Sequence, residues 1–160
     1  MVLTFQQLKA ISPGTPDERI NLFLPHLNKY LPQYGIDTPN EVASFLSQIL
    51  HESGGFKFVR EIWGPTAAQL RYEGRADLGN NFTGDGKKFM GRGLMQITGR
   101  LNYGRMSHEL FKDDRLLDNP DILATPEFST QSACVYWKWR NMDKYDDDDD
   151  ILKETKLVNG

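Results

Sequence analysis

Thr38-Pro39-Asn40-Glu41-Val42-Ala43-Ser44-Phe45-Leu46-Ser47-Gln48-Ile49-Leu50-His51-Glu52-Ser53-Gly54-Gly55 is the stretch on which the fold turns. Its opening carries three helix-start signals. Thr38 suits the N-cap, Pro39 the first helical position, and Glu41 completes a capping box. Val42, Phe45, Leu46 and Ile49 follow at helical spacing and mark a buried face. Ser53-Gly54-Gly55 ends the helix. Glu52 lies seven residues after Phe45, on that same apolar face and at the negative end of the helix dipole. Both surroundings disfavour an ionised carboxyl. The plainer alternative is a solvated last turn, with Glu52 paired to Lys57 or Arg60.

Nine residues further on stands Glu61, within Phe58-Val59-Arg60-Glu61-Ile62-Trp63. Apolar and charged residues alternate there before Gly64-Pro65, which predicts a short strand or an extended loop. Such an element faces Glu61 toward Glu52 across a groove; the alternative is a surface glutamate beside Arg60. Paired carboxyls of this kind are what acid–base cleavage of a glycosidic bond requires. One must be held protonated, and the other must stay ionised across the bond, with room for a water.

Helical patterns dominate both flanks. Residues 4–11 form a short helix boxed by Thr4 and Gln7. A second helix opens at Thr15-Pro16-Asp17-Glu18 and reaches about Leu31, with Ile20, Phe23, Leu24 and Leu27 inward. Beyond residue 104 the spacing predicts a short helix over 120–123, a long one capped by Thr125-Pro126-Glu127 through Trp139, and a weaker one over 148–157. The middle is different. Eleven of the fourteen glycines fall within residues 51–104, which carry a local charge of +3 against −6 for the rest. A glycine-rich, basic middle between helical flanks reads as a loop-built site on a helical scaffold.

At 160 residues the chain makes one domain with a real core. A net charge of −3 and a pI near 5.6 argue against a dedicated nucleic-acid binder. The lone Cys134 excludes an internal disulfide framework and a cysteine-based zinc site, and its apolar surroundings predict a buried thiol rather than a nucleophile. No apolar stretch reaches membrane-spanning length, and Met1-Val2-Leu3-Thr4-Phe5 is no signal peptide. Synthesis in a cytoplasm is therefore expected. His51-Glu52 lacks the second histidine of a zincin, since Gly55 stands in its place. Gly84-Asp85-Gly86 and Gly91-Arg92-Gly93 lack the Gly-Lys-Ser/Thr of a phosphate loop. The acidic run Asp146 to Asp150 lacks the glycine and terminal glutamate of a calcium loop and reads as a solvated loop. No metal or cofactor is expected.

His51-Glu52-Ser53-Gly54-Gly55-Phe56, Tyr72-Glu73-Gly74-Arg75-Ala76-Asp77-Leu78-Gly79-Asn80, Gly84-Asp85-Gly86 and Phe89-Met90-Gly91-Arg92-Gly93-Leu94-Met95-Gln96-Ile97-Thr98-Gly99-Arg100-Leu101-Asn102-Tyr103 together resemble glycoside hydrolase family 19. The likeness is to the phage endolysin branch, which cleaves peptidoglycan; plant chitinases form a more distant branch. It covers residues 51–104 densely. It implies a mainly α, lysozyme-like, two-lobed helical domain, with a glycine-rich region of loops and short strands lining a groove, and an inverting mechanism.

By this resemblance Glu52 is the general acid, Glu61 the base, and Thr98 helps hold the attacking water; alternatively Thr98 only caps the helix carrying Asn102 and Tyr103. Gln96, Asn102, Tyr103, Arg92, Tyr72 and His51 are implied in substrate binding. Glu73 is expected to pair with Arg71 or Arg75. Relatives usually continue past Val158-Asn159-Gly160 into a further helix, so residues 1–160 are expected to form a single catalytic domain lacking it. Lys156 stands near a position where the family often has an arginine, and can replace its charge but not its bidentate fork.

The expected partner is the glycan strand of peptidoglycan, met by a monomer without nucleic acid or stable membrane insertion. The enzyme would be made in the host bacterium's cytoplasm and act in the periplasm after release. A toxin delivered by a secretion machine is an alternative setting. Chitin shares the β-1,4 N-acetylhexosamine backbone, so a chitinase is the neighbouring alternative. A wall-binding module without catalysis is the third, opposed by the intact Glu52, Glu61 and Thr98.

Overall fold

Thr38 does start a helix. In a computed structural model that describes residues 2–140, its hydroxyl accepts the Glu41 N–H, and the helix runs Pro39–Ser53. In chain order the helices are α1 (Phe5–Ile11), α2 (Asp17–Gln33), α3 (Pro39–Ser53), α4 (Ala67–Leu70), α5 (Asp85–Lys88), α6 (Arg100–Phe111), α7 (Arg115–Asp118) and α8 (Pro126–Trp139). Two 3-10 turns, Ala76–Leu78 and Pro120–Ala124, complete the described elements. The fold is mainly α, as expected. The alternating segment around Glu61 is an extended loop, tied by isolated bridges from Arg60 to Arg92 and from Arg92 to Ile97.

Local chemistry explains most boundaries. Thr4 and Gln7 form the reciprocal capping box of α1, and Thr125 caps α8 behind Pro126. The expected start of α2 shifts slightly: Pro16 holds the cap position, and the Thr15 hydroxyl bonds Ser12 instead, at 2.5 Å. Helix α6 begins behind Gly99 with no side-chain cap, so Thr98 is not its cap. The first N–H of α6, from Arg100, is instead accepted by the buried Asn80 side chain at 2.9 Å. Two short helices of the second half, α5 and α7, carry too few apolar residues to show a period.

Among the described residues, apolar side chains gather in two clusters. The first joins α1, α2 and α3 through Leu8, Phe23, Leu27, Phe45 and Ile49. The second joins α6, α7 and the Pro120–Ala124 turn through Tyr103, Met106, Leu116 and Leu123. Helix α8 serves both: Cys134 and Trp137 enter the first cluster, Val135 the second. Cys134 is fully buried, and burial pushes its thiol up to about 12, so it packs as an apolar group. None of the described helices is long and apolar enough to cross a membrane. The helix expected over residues 148–157, the acidic run 146–150 and Lys156 lie outside the described residues.

Candidate active site

Glu52 occupies the last turn of α3, and the turn behind it is fixed firmly. Gly54 takes the left-handed conformation (φ 60°), and the Gly55 N–H bonds back to the Leu50 carbonyl at 2.9 Å. Phe56 also has a positive φ of 66°, a strained place for an aromatic residue. Three contacts hold it there. Its ring stacks on Phe23 with centroids 4.7 Å apart, its N–H reaches the Ser53 hydroxyl, and Arg19 donates two hydrogen bonds to its carbonyl. Glu52 itself is half-buried and has no hydrogen-bond or ion-pair partner among the described residues. Neither suggested partner pairs with it: Lys57 lies over the Phe58 ring and Arg60 pairs with Asp121.

Glu61 is held quite differently. The Tyr72 hydroxyl donates to Oε1 at 3.0 Å, and the Gly91 N–H donates to Oε2 at 2.5 Å. The Glu61 N–H returns a bond to the Gly91 carbonyl at 2.9 Å. Two donors suit an ionised carboxylate, which only accepts. Burial and the Glu61 carboxylate both push the Tyr72 hydroxyl above its ordinary range, which keeps it a donor. Tyr72 is placed by Asn80, whose amide donates to the Tyr72 carbonyl while its oxygen accepts from Arg100. The loop after Glu61 is bound by the buried Gln69 side chain, which accepts from Gly64 and Thr66 and donates to the Ile62 carbonyl.

Glu61 lines a cleft of about 750 Å³. One wall is the segment leaving α3, including Lys57, Phe58, Arg60 and Trp63; the other comes from Met90, Asp121, Ala124 and Thr125. Trp63 lies beside Tyr72, their rings 6.4 Å apart.

The remaining residues divide. Gln96 is half-buried in a tight turn at φ 53°, its amide donating to the Gly93 carbonyl. The Thr98 hydroxyl donates to the Gln96 carbonyl at 3.0 Å, and the Asn102 amide donates to the Thr98 carbonyl at 2.9 Å. His51 is exposed. Tyr103 and Arg92 correct the expectation that they line the groove. Tyr103 is fully buried and Arg92 is 5% exposed, so neither offers a surface to a sugar. Arg92 instead knits the loop from behind, donating to Asp121, the Lys88 carbonyl and the Tyr103 hydroxyl, while that hydroxyl donates to the Met90 carbonyl. Burial pushes the Tyr103 hydroxyl far above its ordinary range.

Glu73 is a second correction: it takes neither Arg71 nor Arg75 but accepts the Gly84 and Gly86 N–H groups, which hold its carboxyl below the usual range. Arg75 pairs with Asp77 instead. The roles of Gly91, Gln69, Asn80 and Trp63 were missed in the sequence; only the crowding of glycines near residue 91 hinted at close backbone approach.

Residues 35–153 match the model of glycoside hydrolase family 19, described as chitinase class I. A glycosyl hydrolase family 19 domain-containing protein of Haemophilus influenzae is 28% identical over 145 residues, spanning 74% of this chain and 70% of that protein. Endochitinase 1 of Theobroma cacao is 36% identical over 105 residues, which are 61% of this chain and 32% of the plant protein. Chitinase C from Streptomyces griseus has a similar fold, with a TM-score of 0.60 at 20% identity over 86% of this chain and 54% of its own. The chain thus spans about a third of the plant enzyme and about half of the solved chitinase. With the family match extending over the greater part of its length, this chain belongs to glycoside hydrolase family 19.

Proposed function

We propose that this chain hydrolyses β-1,4 bonds of bacterial peptidoglycan by inversion, with Glu52 as general acid and Glu61 as general base. The observation that carries the reading is the contrast between the two carboxyls. Glu61 is gripped by two donors at the edge of a cleft, while Glu52, on a rigid turn, is left without a partner. A base that activates water must be oriented and ionised; an acid must be free to give its proton to the leaving oxygen. Inversion needs the two carboxyls about 6.5–9.5 Å apart, to admit the water. Thr98 completes the set. Its hydrogen is committed to the Gln96 carbonyl, so its oxygen is left to accept from the water whose other proton Glu61 takes. Gln96, Asn102, Tyr72 and His51 contact or frame the sugar.

The peptidoglycan assignment rests on the likeness of residues 51–104 to the endolysin branch. In that role the enzyme acts as a monomer on glycan strands, made in the bacterial cytoplasm and working from the periplasm. The plant relatives are endochitinases, and this favours a second reading, cleavage of chitin, by the same two carboxyls. Isosteric substitution tests the chemistry. Glu52→Gln and Glu61→Gln should each remove nearly all cleavage of cell walls while the thermal melt stays close to the parent, because an amide neither gives nor takes the required proton. Near-normal turnover by either variant would sink the assignment.

A further inference from the structure

A second cleft, also of about 750 Å³, opens beside the first. It lies between the turn joining α1 to α2 and the glycine turn that ends α3, lined by Ser12, Thr15, Arg19, Gly54, Gly55 and Lys57. Lys57 lines both clefts, so the two adjoin along its side chain. Their charge differs. The first holds Glu61 and Asp121, whereas none of the described residues lining the second is acidic. Among the described residues, the cations of the second are also uncommitted to carboxylates. Among the described residues Lys57 has an aromatic neighbour, Phe58, and no ion pair. Arg19 bonds a neutral carbonyl and lies over the Phe23 ring. The hydroxyls of Ser12 and Thr15, bonded to each other, add polar groups to the floor.

We propose that this second cleft binds the stem peptide branching from a peptidoglycan strand whose glycan lies in the first, with Lys57 and Arg19 receiving its carboxylates. The inference rests on the peptidoglycan reading and sharpens it. Chitin has the same backbone but no acidic branch, so this cleft is where the two polymers are told apart. Lys57 is the better probe, because it is exposed, whereas Arg19 also holds the Phe56 turn.

The experiment measures kcat/KM for release of reducing ends from peptidoglycan with intact peptides, from the same glycan stripped of peptides by an amidase, and from chitin oligomers. The parent should prefer the intact polymer. Lys57→Gln should reduce that preference by roughly 5-fold, mainly through KM, as expected for one partly exposed charge contact. Lys57→Arg should keep it, and rising salt should erode it in the parent. A preference that is unchanged in Lys57→Gln, or missing in a parent that cleaves both forms of peptidoglycan, overturns this site and leaves the peptidoglycan reading standing. A parent that releases nothing from either form overturns both.

Discussion

Gly91 has room for a hydrogen and nothing larger. A methyl group there would meet Gln96 Oε1 at 2.7 Å and the Glu61 side chain at 3.1 Å, while its N–H holds Glu61 Oε2. Gly91→Ala should therefore displace Glu61, the proposed base, without touching either apolar cluster. The expected result is a loss in kcat of roughly 100-fold, the scale for a reacting group misplaced by about an ångström. Steady-state kinetics beside a thermal melt checks it; full activity would show that Glu61 need not sit where Gly91 puts it. Thr98 gives a second test at this scale. Since it caps no helix, its hydroxyl is either a water ligand or a loop fastener for Gln96. Thr98→Ser should keep most activity, and Thr98→Val should lose roughly 10-fold or more in kcat, with stability reduced by only ~1 kcal/mol for the missing hydrogen bond. Unchanged turnover of folded Thr98→Val would remove it from the catalytic set.

Among the described elements, the joint between α5 and α6 rests on a buried carboxylate. Asp85, 2% exposed, accepts from Arg100 at 2.7 and 3.0 Å and from the Phe82 N–H at 3.2 Å. The Arg100 guanidinium holds the Asp85 carboxyl below the usual carboxylate range. Its folded pKa is thus depressed, so the stabilisation is fully present above the unfolded value of about 4 and is lost as pH falls through the folded one. Asp85→Asn should cost about 2–3 kcal/mol at neutral pH, since it leaves a partly buried guanidinium unpaired. It should also flatten the acid limb of a plot of melting temperature against pH. An acid limb of parental steepness in the variant would show that other carboxyls govern it.

What the sequence revealed of these elements follows the range of the interactions. Helix α3 was legible because its cap, its proline and its stop lie within its own residues. The start of α6 was not, because its partner Asn80 lies twenty residues upstream. Tyr103 and Arg92 stood inside a site motif, but Tyr103 packs into the second cluster and Arg92 turns inward to bond its hydroxyl and the Lys88 carbonyl. Glu73 had arginines within two residues, yet backbone N–H groups brought near by the glycine turn proved the better donors.

At the scale of the whole molecule, two apolar clusters share α8, and the carboxyl-bearing segments are braced from both sides. Glu52 and its turn are braced on α2, through Phe23 and Arg19. Glu61 is braced, through Gly91, by a loop that Arg92 ties to Tyr103 of the second cluster. The two carboxyls proposed to act on one bond are thus each braced on a different apolar cluster. The most direct test is to incubate the full chain, and its Glu52→Gln variant, with purified peptidoglycan and with chitin oligomers, and to weigh the soluble products by mass spectrometry. The account predicts disaccharide-peptide fragments with new reducing ends from peptidoglycan in the parent, and none in the variant. Products from chitin alone, or equal release by parent and variant, would contradict it.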